Sequence, residues 1–266
     1  MAIQTMQHGA LEYLCAEGIS VPHCFTTRLG GVSTGTQSSL NLAIGRGDTL
    51  ENVEQNLRIL AQELDFDPKR LVMTHQNHSN LVRVVTDADA LGLCHRAYPH
   101  CDGLVTATPG TALLIFTADC TPLLLHDPVT GAVGAAHAGW RGTAQNIAGQ
   151  VVEAMVRAFG SKPEDIRAAI GPNIGQCHFE TDRDVPEALV EAYGQEVLGC
   201  IEKRGEKYHP DIKAVNALAL RRVGVKQLEI SDVCTYCQHD RFWSHRFTKG
   251  ERGSQGALIV CQEAKP

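Results

Sequence analysis

Residues 117–143, TADCTPLLLHDPVTGAVGAAHAGWRGT, decide how the rest of the chain is read. Two short apolar runs, residues 122–126 and 132–136, are separated by Asp127-Pro128 and Thr130-Gly131, so the stretch reads as strand, turn, strand. Cys120 enters on the first strand beside Asp119. His137 leaves the second strand into a glycine-flanked turn, His137-Ala138-Gly139-Trp140-Arg141-Gly142. If the strands pair as a hairpin, one soft metal ligand or nucleophile lies on each of two neighbouring strands. Asp119, by alternation, points away from Cys120 and reads as a structural or supporting group.

On the N-terminal side, the apolar run of residues 111–125 is broken by Asp119 and is too short to span a bilayer, so it reads as buried strands. Residues 71–85 read as two strands around a polar centre that carries His75 and His78. In an extended chain these two face opposite sides, so only one of them can join a shared site. Leu50, Val53, Leu57, Leu60 and Leu64 step by three and four and predict a helix, with Asp48 at its start and Asp67-Pro68 closing it. Residues 25–33 put Arg28 at a strand end beside Gly30-Gly31, where a guanidinium and backbone N–H groups can converge on an anion. A solvated turn arginine would have the same sequence signature.

On the C-terminal side, Ile147, Val151, Met155 and Phe159 recur every four residues and predict a helix capped by Thr143 and ended by Gly160. The Gly139–Gly142 turn, with Arg141, then precedes a helix N-terminus, a place suited to phosphate. Residues 166–170 read as a strand that turns at Gly171–Gly175 and resumes over 176–180. Helices follow at 185–193 and 212–223, the second capped by Asp211 and stopped by Gly224, and strands at 228–231 and 257–260. We find no internal repeat, linker or low-complexity block. The expected architecture is α+β, mixed β-sheets flanked by helices, in one domain over residues 1–266.

At 266 residues the chain can bury a sizeable core without disulfides. A formal net charge of −6 argues against a broad surface for nucleic acid or anionic membrane. The ten cysteines have no compact spacing, and residues 1–12 lack a charged-then-apolar signal, so a cytoplasmic, reduced protein is expected.

His78, Cys120 and His137 supply two imidazoles and a thiolate, the donors of a catalytic zinc site that keeps a fourth position for water. Copper accepts the same set. Alternatively Cys120 is a nucleophile activated by His137, or simply a small core residue. Cys234-Thr-Tyr-Cys237, with His239 close by, is a lone CxxC without a second half. His126 reads as an ordinary strand-end residue.

Several segments, in order along the chain, resemble the YfiH-like proteins, also called the multicopper polyphenol oxidase or laccase-domain family and, in some bacteria, peptidoglycan editing factor. They are Thr27-Arg28 with Gly30-Gly31-Val32-Ser33, Gln76-Asn77-His78-Ser79, Asp102-Gly103-Leu104-Val105, Thr117-Ala118-Asp119-Cys120, His137 to Gly142, Ile170-Gly171-Pro172 and Cys234-Thr-Tyr-Cys237. The resemblance implies a zinc-dependent purine nucleoside enzyme that phosphorolyses adenosine, inosine and methylthioadenosine and also deaminates adenosine. It places the metal ligands on His78, Cys120 and His137, an arginine near the site on Arg28, and it allows a homodimer. Arg28 and Arg141 are the expected substrate contacts. Phe242-Trp243-Ser244-His245-Arg246-Phe247 departs from the family's usual FYSYRR-like signature. The other readings are a cysteine or metallo-amidase that edits a peptidoglycan precursor and a copper-dependent polyphenol oxidase.

Overall fold

The computed structural model describes residues 2–96 and 98–263. Its strands form two six-stranded sheets and one small hairpin. The first sheet runs, edge to edge, β1 (Ile3–His8), β2 (Leu11–Ala16), β3 (His23–Thr26), β14 (Gln255–Val260), β7 (Ala112–Thr117) and β4 (Leu71–Met73). The second runs β13 (Gln227–Ile230), β10 (Arg167–Ile170), β8 (Thr121–His126), β9 (Val133–Ala138), β6 (Gly103–Thr106) and β5 (Val82–Val84). Both are mixed, with β4 parallel to β7, β5 to β6 and β10 to β13. The hairpin pairs β11 (Ile201–Arg204) with β12 (Lys207–Pro210).

Strand periodicity explains the layering. In β7, Leu113 and Ile115 face the second sheet, joining Leu124 of β8 and Ala135 of β9, while Leu114 turns the other way toward α1 (Leu50–Glu63). In β8, Leu123 and Leu125 face α3 (Ile147–Phe159) and α5 (Ile212–Arg222). The order is therefore helix, sheet, sheet, helices. Strands covered on both faces need continuous apolar runs, which is why 112–116 and 122–125 show no polar alternation. Each fully buried leucine there contributes roughly 1.5–3 kcal/mol. The remaining helices are α2 (Trp140–Ala144), α4 (Asp184–Tyr193) and the single turn α6 (His245–Thr248). Among the described residues no helix is long and apolar enough to cross a membrane.

The hairpin read from the central stretch is present as β8 and β9, with Pro122 opposite His137 and Thr121 opposite Ala138. Cys120, however, lies one residue before β8, in a bend where Asp119 takes φ +85°. Three further expectations shift. The helix at 50–63 is capped by Thr49, whose hydroxyl accepts from Asn52 N–H, while Asp48 bonds Ser33, Asn41 and Asn52. The helix expected from Thr143 is two helices: residues 140–144 are already helical, and Asn146 in the left-handed region (φ +60°) restarts the chain and caps α3. The Gly-Trp-Arg-Gly turn is thus no loop in front of a long helix. Residues 176–178 turn instead of resuming a strand. The two strands read in residues 71–85 are both present, β4 in one sheet and β5 in the other.

Candidate metal centre

The chain between β4 and β5 crosses from one sheet to the other, and His78 sits on that crossing in the left-handed region at φ +65°. Such a backbone costs a non-glycine residue of order 1 kcal/mol or more unless its surroundings hold it. Asp102, fully buried just before β6, does so. Its Oδ1 accepts from His78 N–H at 3.1 Å, and its Oδ2 accepts from the N–H of Asn77 and Ser79 and from the Ser79 hydroxyl. The same Oδ1 accepts from His137 Nδ1 at 2.8 Å. One carboxylate therefore shapes the His78 loop and aims the His137 ring, leaving His137 Nε2 for a metal, the arrangement by which carboxylates orient metal-binding histidines.

Cys120 completes the group. Its Sγ lies 3.9 Å from His78 Nε2, and the rings of His78 and His137 meet edge-on with centroids 4.9 Å apart. One donor atom from each of the three lies within 4.8 Å of the others. Zinc–ligand bonds of about 2.0–2.3 Å fit inside that span. Gly139 permits the approach, because a Cβ there would stand 2.8 Å from His78 Cδ2 and 3.1 Å from Cys120 Sγ. Asp119 lies in the bend and not in a strand, so alternation does not set its direction, and its carboxylate is used structurally. Its Oδ1 accepts from the Thr235 hydroxyl and its Oδ2 from Arg246 N–H, tying the Cys120 bend to the loop at Thr235 and to α6.

The electrostatics favour the deprotonated thiol. Burial would raise Cys120, but the His137 and His78 imidazoles outweigh it and bring the thiol down to about 6. Burial would lower His137, yet Cys120 and Asp102 carry it up to about 9. Burial would raise Asp102 as well, but hydrogen bonds from His137 and Ser79 hold it at about 2. A site that stabilises thiolate is one that binds a soft divalent cation or makes the sulfur nucleophilic.

The triad opens on one side. His137 is 3 % exposed, Cys120 is half-buried and His78 is exposed. All three line a cleft of about 200 Å³, whose wall also carries His75, Gln76 and the guanidinium-bearing residues Arg46, Arg96 and Arg252. Gln76 is fixed by exchanging hydrogen bonds with the backbone of Phe116 on β7. His75 stacks on His100 at 3.9 Å and stands apart from the triad.

The two arginines singled out in the sequence are placed elsewhere. Arg28 donates to the carbonyls of Ser38 and His239 and lies 3.9 Å over the Trp243 ring, outside the lining of this cleft. Arg141 covers the Trp140 ring at 4.2 Å and borders a separate shallow groove beside α4. Phe242 and Trp243 of the variant C-terminal signature are core residues. Sequence reasoning missed Asp102 and the three cleft arginines. An aspartate opening the run Asp102-Gly103-Leu104-Val105 was the visible signal for the first, and nothing in their spacing marked the others.

Comparison with known proteins identifies the family and the fold. The family described as multi-copper polyphenol oxidoreductase laccase matches residues 22–262. The chain belongs to this YfiH-like, laccase-domain family. A purine nucleoside phosphorylase of Deinococcus radiodurans is 41 % identical over 250 residues, covering 94 % of this chain and 92 % of that protein. Among solved structures, the Bacillus licheniformis hypothetical protein YfiH superposes with a TM-score of 0.91 at 33 % identity, covering 98 % and 99 % of the two chains. The Geobacillus stearothermophilus YlmD structure does so at 0.90 and 34 %, covering 97 % and 99 %. The α+β arrangement of two mixed sheets with flanking helices is thus the YfiH-like fold.

Proposed function

We propose that this chain is a zinc-dependent purine nucleoside phosphorylase, acting in the cytoplasm on adenosine, inosine and methylthioadenosine, with adenosine deaminase activity at the same site. One observation carries the reading: three soft donors converge on the floor of a cleft whose wall holds Arg46, Arg96 and Arg252. The relatives named as purine nucleoside phosphorylases support it.

His78, Cys120 and His137 would hold the ion, and the donor set fits: a thiolate held down by two imidazoles, one of them oriented by a buried carboxylate. When bound, zinc supplies Lewis acidity and activates water at neutral pH. Everything else is done by the chain. Arg46, Arg96 and Arg252 bind phosphate, a dianion suited to guanidinium donors. Arg96 is steered by donating to the Thr74 carbonyl, and Arg252 by donating to the Gly253 carbonyl and Ser254 hydroxyl. In phosphorolysis a phosphate oxygen bonds to ribose C1′ as the bond to the purine nitrogen breaks. In deamination a water oxygen adds at C6 and ammonia leaves. The residues of the cleft hold the reactants in line, and such positioning contributes a sizeable share of a rate gain. Arg28 acts on this reading through the loops it ties together.

A second reading, hydrolysis of a peptidoglycan precursor with Cys120 as nucleophile, is favoured by the low thiol pKa. Copper-dependent phenol oxidation ranks third, since three donors make one mononuclear centre where multicopper chemistry needs several. Metal-defined protein incubated with adenosine, with and without phosphate, separates these readings when inosine, adenine and ribose 1-phosphate are resolved. Cys120→Ser should lose the zinc of the cleft and activity together; an unchanged zinc content with loss of activity would move the nucleophile reading ahead. If no nucleoside turns over, the hydrolase reading replaces the phosphorylase.

A further inference from the structure

The lone CxxC acquires its missing half in three dimensions. Cys234 and Cys237 come together with Cys177 and His178, which the turn at 176–178 brings from the far side of β10. One donor atom from each of the four lies within 4.8 Å of the others. Cys177 Sγ and Cys237 Sγ are 3.7 Å apart, and His178 Nδ1 lies 3.2 Å from the first and 3.3 Å from the second. Sulfurs bound at ~2.3 Å in a tetrahedron stand about 3.8 Å from each other. A disulfide requires ~2.05 Å.

The surroundings fit thiolates. Gly175 N–H donates to Cys234 Sγ at 3.2 Å, and a Cβ at Gly175 would stand 3.3 Å from Cys177 Sγ and 3.4 Å from Cys234 Sγ, tight against both. The His178 ring is held by stacking on Tyr236 at 4.1 Å, which keeps Nδ1 turned toward the sulfurs. Four donors of this kind close the coordination shell.

We propose that Cys177, His178, Cys234 and Cys237 form a second, structural metal site of the three-cysteine, one-histidine type, taking zinc and separate from the cleft triad. Binding replaces thiol protons by metal–sulfur bonds and involves no redox step. The site fastens the 173–178 turn to the 234–241 loop. That loop supplies Thr235 to Asp119, beside Cys120, and the carbonyls of His239 and Arg241 to Arg28. The metal is thereby a positioning element for the bend that carries Cys120.

Full-length protein, purified under reducing conditions without chelator and analysed for metal, should carry about two zinc ions per chain. Cys120→Ser and the double variant Cys234→Ser/Cys237→Ser should each carry about one, by loss of different sites. A double variant with the zinc content of the unaltered chain overturns the proposal. So does a mass loss of two hydrogens under non-reducing denaturing conditions that maps to Cys177 and Cys237. Should the double variant fail to fold, Co(II) added to metal-stripped Cys120→Ser decides: with the cleft thiolate gone, intense thiolate-to-cobalt charge-transfer absorption supports the four-donor site, and its absence overturns it.

Discussion

The cleft triad and the Cys177–Cys237 cluster bring similar donors to similar distances by opposite means. The triad is gathered from the crossing between β4 and β5, the bend before β8 and the end of β9, and a single buried carboxylate orders two of its members. It has three donors and faces a cleft. The second cluster draws on two neighbours in sequence and a CxxC, has four donors, and presents two of them at the surface. A shell with a free position does chemistry, whereas a filled one holds loops together. Donor count and access, and not residue type, separate the two roles proposed for them.

The largest effect should come from setting His137→Ala against Cys237→Ser. The first removes a cleft donor together with the partner of Asp102, and nucleoside turnover should fall by more than about a hundredfold. The second should leave turnover within about tenfold while lowering the melting temperature. Equal losses in both would erase the division of labour.

Asp102→Asn comes next. It keeps the shape but turns a five-bond acceptor into a group that must present an N–H to other donors, so cleft-metal affinity and kcat should drop ~10- to 100-fold in chelator competition and initial-rate assays. Wild-type affinity in this variant would mean that the His137 ring is aimed by something else. Arg96→Ala should raise KM for phosphate about tenfold, the loss of one charge-assisted contact, and leave phosphate-independent deamination of adenosine unchanged. A parallel loss of deamination would show that the arginine serves the nucleoside or the fold.

A smaller effect tests a residue that belongs to neither cluster, at the end of β8. His126, 3 % exposed with Nδ1 unpartnered, is pushed down from 6.5 to about 4, chiefly by burial and then by Arg167. The unfolded chain therefore takes up the proton first, so stability should decline as the pH falls from 6.5 toward 4 and level off below, by about 3 kcal/mol in total. His126→Phe should flatten most of that slope in denaturant titrations; His23, also lowered by burial, leaves a remainder. An unchanged slope would assign the pH dependence to other groups.

Much of the fold was legible because its signals are periodic. The helices at 50–63 and 212–222 and the strands around Cys120 carry their burial pattern in the sequence. The split near Asn146 was not legible, since a left-handed residue inside an apolar repeat leaves that repeat intact. In the site, imidazoles and thiolate announce themselves by chemistry, and the structure brings to one place the three that the sequence singled out. Asp102 acts through burial and backbone N–H groups, and the cleft arginines at 46, 96 and 252 meet only through tertiary structure, so no spacing rule finds them. Arg28 shows the converse: a residue that looks poised for an anion spends its guanidinium on two backbone carbonyls.

The crossing that carries His78 has a kinetic corollary. A peptide link that leaves one sheet at β4 and joins the other at β5 brings His78 to its partners only once both sheets are in place, so the triad should form late in folding. Zinc should then act as a latch on the finished fold and not as its nucleus: adding it during refolding should slow unfolding while leaving the folding rate of a Cys177→Ser chain, which lacks the full second site, unaltered.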